Sequence, residues 1–194
     1  FIFKTSDMGL SIHYSGYIRD KELTAPLVEE VKDISETLGW VSKVIDDEEI
    51  KGIRFSPKGS EPVFLTFNHN GRLLSPVNII AKDIYDGVRF DRDLIFTAST
   101  KTQFAGPDAH IAIIKLLKYI SGKYMVDFEV YDEGNYWETG DEKTLLTQFK
   151  NYNEAIDSFR KAIEGLPAVP AETTESLADR LENILKEKFG GKKK

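Results

Sequence analysis

The chain has 194 residues, of which 41% are hydrophobic and 30% charged, and its 32 acidic and 26 basic side chains give a formal charge of −6. This composition is typical of a globular protein with a full hydrophobic core, and the absence of cysteine excludes a disulfide-stapled or zinc–cysteine fold. No apolar run reaches the roughly 18 residues of a membrane span. Because residues 1–7 also lack the pattern of a secretory signal, we expect a cytoplasmic protein without a membrane partner.

The first half of the chain predicts a strand, a helix and a four-stranded meander. Alternating apolar residues predict the strand at residues 9–18, and apolar residues spaced by three and four predict the helix at 23–38, with Gly39 just past its end. Turn signals then separate four short apolar runs, at residues 40–45, 50–55, 63–67 and 72–77. Short connections join antiparallel neighbours, so these runs predict a meander.

The second half predicts one more strand at 88–98, an apolar helix at 107–123 and a strand at 125–131. Residues 139–142 have the form of a capping box, and an apolar stripe behind them predicts a long helix: Leu145, Phe149, Tyr152, Ile156, Phe159 and Ile163. A proline-containing linker at 166–171 separates that helix from a last amphipathic one, which carries Leu177, Leu181, Ile184 and Leu185. A disordered basic tail is predicted at 190–194.

These elements predict an α+β fold in which helices cover an antiparallel meander sheet. Their order is strand, helix, four-strand meander, strand, helix, strand, helix, helix. The opening order is similar to that of TATA-binding-protein-like and helix-grip domains, but element order alone implies no function. We expect residues 1–166 to form a single domain, followed at 167–194 by the linker, the C-terminal helix and the tail.

Nearly all of the net charge lies in residues 126–164, which hold ten acidic and four basic side chains and therefore a charge of −6. Aromatic residues alternate with carboxylates at the start of this stretch, as is typical of a surface that contacts a basic protein. The residues that we expect to make these contacts are Glu133, Tyr136, Trp137, Glu138 and Asp141. The simpler interpretation is an acidic helix start beside a tryptophan that fills the core. Phosphate backbones would be repelled, so no nucleic-acid partner is expected.

An alternative site lies at residues 100–110, where a predicted strand leads into a predicted helix. Lys101, Thr102 and Gln103 precede the free N–H groups of that helix and could hold an anionic group. His110 would be the base of a small-molecule enzyme or binder, with Glu129 or Glu138 as the acid. The competing interpretation is an ordinary capped connection with His110 at the edge of the core, so the sequence leaves open whether the protein is an enzyme.

His13 shares one face of the first predicted strand with Ser11, Ser15 and Tyr17, a row that lines either a groove or a solvated surface. With three histidines, no cysteine and no metal-binding motif, we expect no metal ion and no cofactor. The preferred hypothesis is therefore an interaction or regulatory module that binds a basic protein partner.

Overall fold

The computed structural model describes residues 10–78 and 95–164, together with Arg180 and Asn183, and these residues form the expected α+β fold. In chain order the elements are β1 (Ser11–Ile18), a 3-10 turn (Lys21–Leu23), α1 (Thr24–Thr37), β2 (Val41–Asp46), β3 (Ile50–Ser56), β4 (Val63–Asn68), β5 (Ala98–Lys101), α2 (Pro107–Tyr124), β6 (Met125–Asp132), α3 (Tyr136–Thr139) and α4 (Glu142–Glu164). The predicted linker and tail lie outside the described residues, as do all of the predicted last helix except Arg180 and Asn183 and the first part of the predicted strand at 88–98.

The strands form two antiparallel sheets of three, in the orders β5-β1-β6 and β2-β3-β4. The meander therefore has three strands, and the prediction of a fourth at 72–77 is wrong. In this stretch only Arg72 and Leu73 form bridges, Arg72 with Tyr17 of β1 and Leu73 with Phe67 of β4. The segment cannot extend either sheet, because it divides its backbone hydrogen bonds between the two and joins them.

The inward faces of both sheets pack with α1 and α2 in the core. The largest fully buried side chains are Ile12 and Tyr14 of β1, Leu27 of α1, Ile50, Ile53 and Phe55 of β3, Leu65 and Phe67 of β4, Leu73, Leu74, and Ile113 and Ile114 of α2. Alternation places Ile12 and Tyr14 on one face of β1, and Ile53 and Phe55 on one face of β3, whereas Ile50 lies on the opposite face of β3 and is buried there.

Tyr14 connects the two sheets through its hydroxyl group. The hydroxyl donates a hydrogen bond to the backbone oxygen of Phe64 and accepts one from the backbone N–H of the same residue, each at 3.0 Å. Tyr14 is 1% exposed, and burial raises the pKa of its phenol well above the ordinary value of 10.0, so the hydroxyl keeps its proton. A single phenol thus completes the backbone pairing at the outer edge of β4.

A polar cluster holds α1 against the C-terminal end of α2. The Glu30 carboxylate accepts hydrogen bonds from the hydroxyls of Tyr119 at 2.6 Å and Tyr124 at 2.5 Å, and from Nζ of Lys123 at 2.9 Å. The two tyrosine hydroxyls and then the ammonium stabilise the ionised form of Glu30, which lowers its pKa to about 2. The carboxylate therefore stays charged over the whole physiological pH range.

Contacts between Cα atoms divide the chain into two units, residues 1–149 and residues 150–194. In the first unit the start of α4 contributes two buried side chains, Leu145 and Phe149. The sequence-based boundary at 166/167 stays a prediction, because that position lies outside the described residues. None of the described helices has the length and hydrophobicity of a membrane-spanning segment.

Candidate functional site

A buried histidine and a buried aspartate meet where α2 begins and β6 ends. His110 is 0% exposed and Asp132 is 4% exposed. Nε2 of His110 lies 2.9 Å from Oδ1 of Asp132, at an angle that leaves its N–H poorly aligned with that oxygen. The edge of the histidine ring meets the ring of Phe149, with the ring centroids 5.9 Å apart. This pair is the most deeply buried ionisable contact in the described residues.

Three backbone N–H groups surround the Asp132 carboxylate. Gly134 donates to Oδ1 at 2.7 Å, and Tyr136 and Trp137 donate to Oδ2 at 2.7 and 2.9 Å. Burial raises the pKa of Asp132, but His110 and the backbone donors outweigh that effect and hold the pKa below its ordinary value of 3.8. The carboxylate is therefore ionised at neutral pH, with Nε2 of His110 beside one of its oxygens.

The second ring nitrogen of His110 is bound to Thr102. Nδ1 lies 2.7 Å from Oγ1 of Thr102, and that hydroxyl also lies 3.0 Å from the backbone oxygen of Leu10. A hydroxyl has one hydrogen, so it either donates to Leu10 and accepts from a protonated Nδ1, or donates to Nδ1 of a neutral ring. Both arrangements turn the histidine inward and connect Leu10, the residue before β1, to the start of α2.

The residues of the alternative ligand site therefore come together only in part. Thr102 and His110 contact each other, but both are 0% exposed, so neither meets a ligand at the surface. Gln103 is 8% exposed, with no hydrogen-bond partner for its Oε1 among the described residues, and Lys101 is half-buried. A general base must reach the proton that it removes, so this geometry favours a structural role for His110.

The acidic segment, residues 126–142, places its predicted contact residues in different environments. Tyr136 is 6% exposed, so its ring belongs to the core. Trp137 is half-buried, with its ring 6.2 Å from that of Phe128 and 5.3 Å from Nζ of Lys118. Glu138 is exposed and has no polar partner among the described residues. Of these three side chains, Glu138 is thus the most accessible.

The two remaining carboxylates of the prediction both accept hydrogen bonds from other residues of the protein. Glu133 accepts a hydrogen bond from the backbone N–H of Ser11 at 2.8 Å and lies 3.6 Å from Nε2 of His13. Asp141 is exposed but accepts from the N–H of Lys143 at 2.9 Å and from the hydroxyl of Thr144 at 2.6 Å. Asp141 therefore caps α4, and the cap lies two residues beyond the threonine that the capping-box pattern predicts.

The segment also exposes side chains that were not among the predicted contact residues. Tyr131 is 63% exposed and its ring lies 5.8 Å from that of His13, while Asp127 and Glu129 are exposed and without a polar partner in the described part of the chain. The alternation of β6 was the signal for these residues, because it places Glu129 and Tyr131 on the face opposite Val130.

One face of the β5-β1-β6 sheet carries polar and aromatic side chains, and we call it the outer face. Its middle strand contributes the half-buried residues His13, Ser15 and Tyr17. Cross-strand pairing adds Tyr131 opposite His13, Glu129 opposite Ser15 and Arg72 opposite Tyr17. Of the row expected from the sequence of β1, His13, Ser15 and Tyr17 are half-buried on this face, whereas Ser11 is buried.

In residues 10–78 and 95–164, no three histidine or acidic side chains are placed to hold a metal ion. No family model matches the chain, and neither the search of the curated proteins nor the search of the solved structures found a match. The geometry of the chain's own residues therefore carries the functional argument.

Proposed function

We propose that the protein is an interaction module that acts in the cytoplasm and binds a basic protein partner through the acidic segment. One observation carries the proposal. Tyr131 is 63% exposed within a segment whose exposed carboxylates Asp127, Glu129 and Glu138 have no cation partner among the described residues. Carboxylates that no described residue neutralises are available to lysine and arginine side chains of another protein.

The two kinds of side chain contribute different parts of the binding energy. Unpaired surface carboxylates increase the rate of encounter with a basic partner and select against acidic ones. Tyrosine supplies a large contact area with few rotatable bonds, and the contact with His13 further restricts the Tyr131 ring. Because the same carboxylates repel phosphate groups, the proposed partner is a protein and not a nucleic acid.

The test compares two charge-reversed double variants against a library of lysine- and arginine-rich peptides. Glu129→Lys with Glu138→Lys reverses two of the three proposed charges without disturbing the hydrogen bonds of Glu133 or Asp141. The control, Glu29→Lys with Glu48→Lys, makes the same change in net charge at exposed positions in α1 and in the β2–β3 turn. We expect the first variant to lose at least about tenfold in affinity for the peptides that the parent protein selects, and the control to lose less than about twofold.

Two further measurements test the proposal: the salt dependence of the affinity and the effect of replacing Tyr131. The affinity of the parent protein should fall between about 50 and about 300 mM salt, because the Debye length shortens. Tyr131→Ala should weaken binding at both salt concentrations, since its contribution is contact area. Equal losses in the test and control variants would show that only net charge matters and would contradict the proposal, as would selection of no basic peptide by the parent protein.

A further inference from the structure

Arg72 has a backbone that is fixed from two sides. Its N–H donates to Oδ1 of Asn68 at 3.0 Å and its carbonyl accepts from the N–H of Asn68 at 3.0 Å. The next residue, Leu73, donates to the carbonyl of Gly16 in β1 at 2.9 Å. The side chain of Arg72 therefore starts from a well-defined position on the outer face, beside Tyr17.

Two aromatic rings hold the guanidinium group of Arg72. Its Cζ atom lies 3.6 Å from the centroid of the Phe96 ring and 5.5 Å from that of Tyr17. Phe96 is itself positioned by its neighbour Ile95, whose N–H donates to Oδ1 of the buried Asn78 at 3.0 Å and whose carbonyl accepts from Nδ2 at 2.6 Å. The rings attract the cation and restrict the plane of the guanidinium.

Stacked rings do not use the hydrogen-bond donors of a guanidinium, which lie in its plane and point away from its edge. Among the described residues no carboxylate, hydroxyl or carbonyl binds these donors, although the side chain is half-buried. The hydroxyl groups of Ser15 and Tyr17 on the same face are also without a hydrogen-bond partner in the described residues. Glu129 lies on the far side of β1, about two strand spacings or roughly 10 Å away, and does not pair with Arg72.

We propose that Arg72 is the oxyanion-binding residue of a ligand site on the outer face, and that it takes a carboxylate or phosphate group. The edge of the guanidinium would bind two ligand oxygens at once, as planar guanidinium groups do with both kinds of anion. The hydroxyls of Ser15 and Tyr17 supply further donors along the same face. The cation of this site, Arg72, lies on the opposite side of β1 from the acidic segment, whereas Ser15 lies directly opposite Glu129.

The experiment titrates the full-length protein with phenyl phosphate, benzoate and inorganic phosphate while NMR follows the backbone amide signals of Tyr17 and Leu73, which lie beside Arg72 and remain in its variants. For ligands of this size, a built site predicts saturation with Kd of the order of 1 mM for at least one of the two organic probes. Saturation by phenyl phosphate alone identifies a phosphate monoester, and saturation by benzoate alone identifies a carboxylate. Saturation by both also supports the proposal, as a site for either anion.

Three variants test the assignment. Arg72→Gln should raise Kd at least about tenfold, and Arg72→Lys at least about threefold, because lysine keeps the charge but not the planar pair of donors. Arg54→Gln removes the same charge from an exposed position in β3 and should leave Kd unchanged. If Arg72→Gln does not fold, Arg72→Lys decides the question.

Two results would overturn the proposal. One is a shift that stays linear up to about 50 mM for every probe, which indicates an arginine that only stacks on its neighbours. The other is an equal Kd in the Arg72 variants and in Arg54→Gln, which indicates binding elsewhere on the protein.

Discussion

Replacement of Asp132 by asparagine tests whether the buried pair with His110 holds the fold together. Oδ1 of Asp132 faces the donors of Gly134 and His110, and Oδ2 faces those of Tyr136 and Trp137. An amide NH2 in either position meets two N–H groups, so neither orientation of asparagine satisfies the site.

The expected cost follows from the burial and charge of the group. Each hydrogen bond to a charged acceptor contributes about 1.5–3 kcal/mol, and breaking a buried charged pair costs about 3–5 kcal/mol in total. We therefore expect Asp132→Asn to lower the free energy of unfolding by about 3–5 kcal/mol at pH 7, a large part of the 5–15 kcal/mol typical of a folded protein. Urea titration followed by tryptophan fluorescence and circular dichroism measures this loss.

Asp141→Asn is the matched control, since it makes the same chemical change in the same segment at an exposed helix cap. Asparagine caps helices about as well as aspartate, so the expected loss is below about 0.5 kcal/mol. A loss for Asp132→Asn within about 1 kcal/mol of the control would refute the structural role of the pair.

The difference in unfolding free energy between the parent protein and Asp132→Asn should also disappear in acid. The pKa of Asp132 is lower in the folded state than its ordinary value of 3.8. The ionised carboxylate therefore stabilises the fold above about pH 3.8, and this stabilisation is lost as the pH falls through the pKa of the folded state.

Three further predictions concern the rest of the fold. Glu30→Gln should reduce the free energy of unfolding at pH 7, and this loss should fade between about pH 4.5 and about pH 2, because the folded state lowers the pKa of Glu30. Urea titrations at several pH values measure the loss, and a loss that does not change with pH would contradict the prediction. Tyr14→Phe should cost about 2–3 kcal/mol in the same assay, since the N–H and carbonyl of Phe64 lose their buried partner; no change would mean that the hydroxyl does not join the sheets. Gly134→Ala should destabilise the protein by at least about 1 kcal/mol, because a Cβ would lie only 2.5 Å from the nearest side chain. Gly122→Ala has open space around the new Cβ and should stabilise α2 by about 0.5–1 kcal/mol. Thermal unfolding would confirm both predictions by opposite shifts of Tm.

Local patterns determined the elements of this protein. Apolar spacing predicted α1, α2 and α4, alternation predicted β1 and β6, and turn signals between short apolar runs predicted β2, β3 and β4, because all of these patterns depend on neighbours that are close in the sequence. The charge of the acidic segment was also readable, since charge is a sum over residue types and needs no coordinates. The sequence therefore predicted an α+β fold and the candidate surface.

Only the tertiary structure decided which of the candidate residues are accessible. His110, Thr102 and Tyr136 are residue types that are common in functional sites, but all three are buried. His110 contacts Asp132, and Thr102 contacts Leu10, so both have partners that are distant in the sequence. Tyr136 is buried in the packed core. The stacking of Arg72 on Phe96 and the division of residues 71–74 between two sheets likewise depend on contacts between distant parts of the chain. Such contacts form only when the elements pack, and no pattern confined to a short stretch of sequence encodes them.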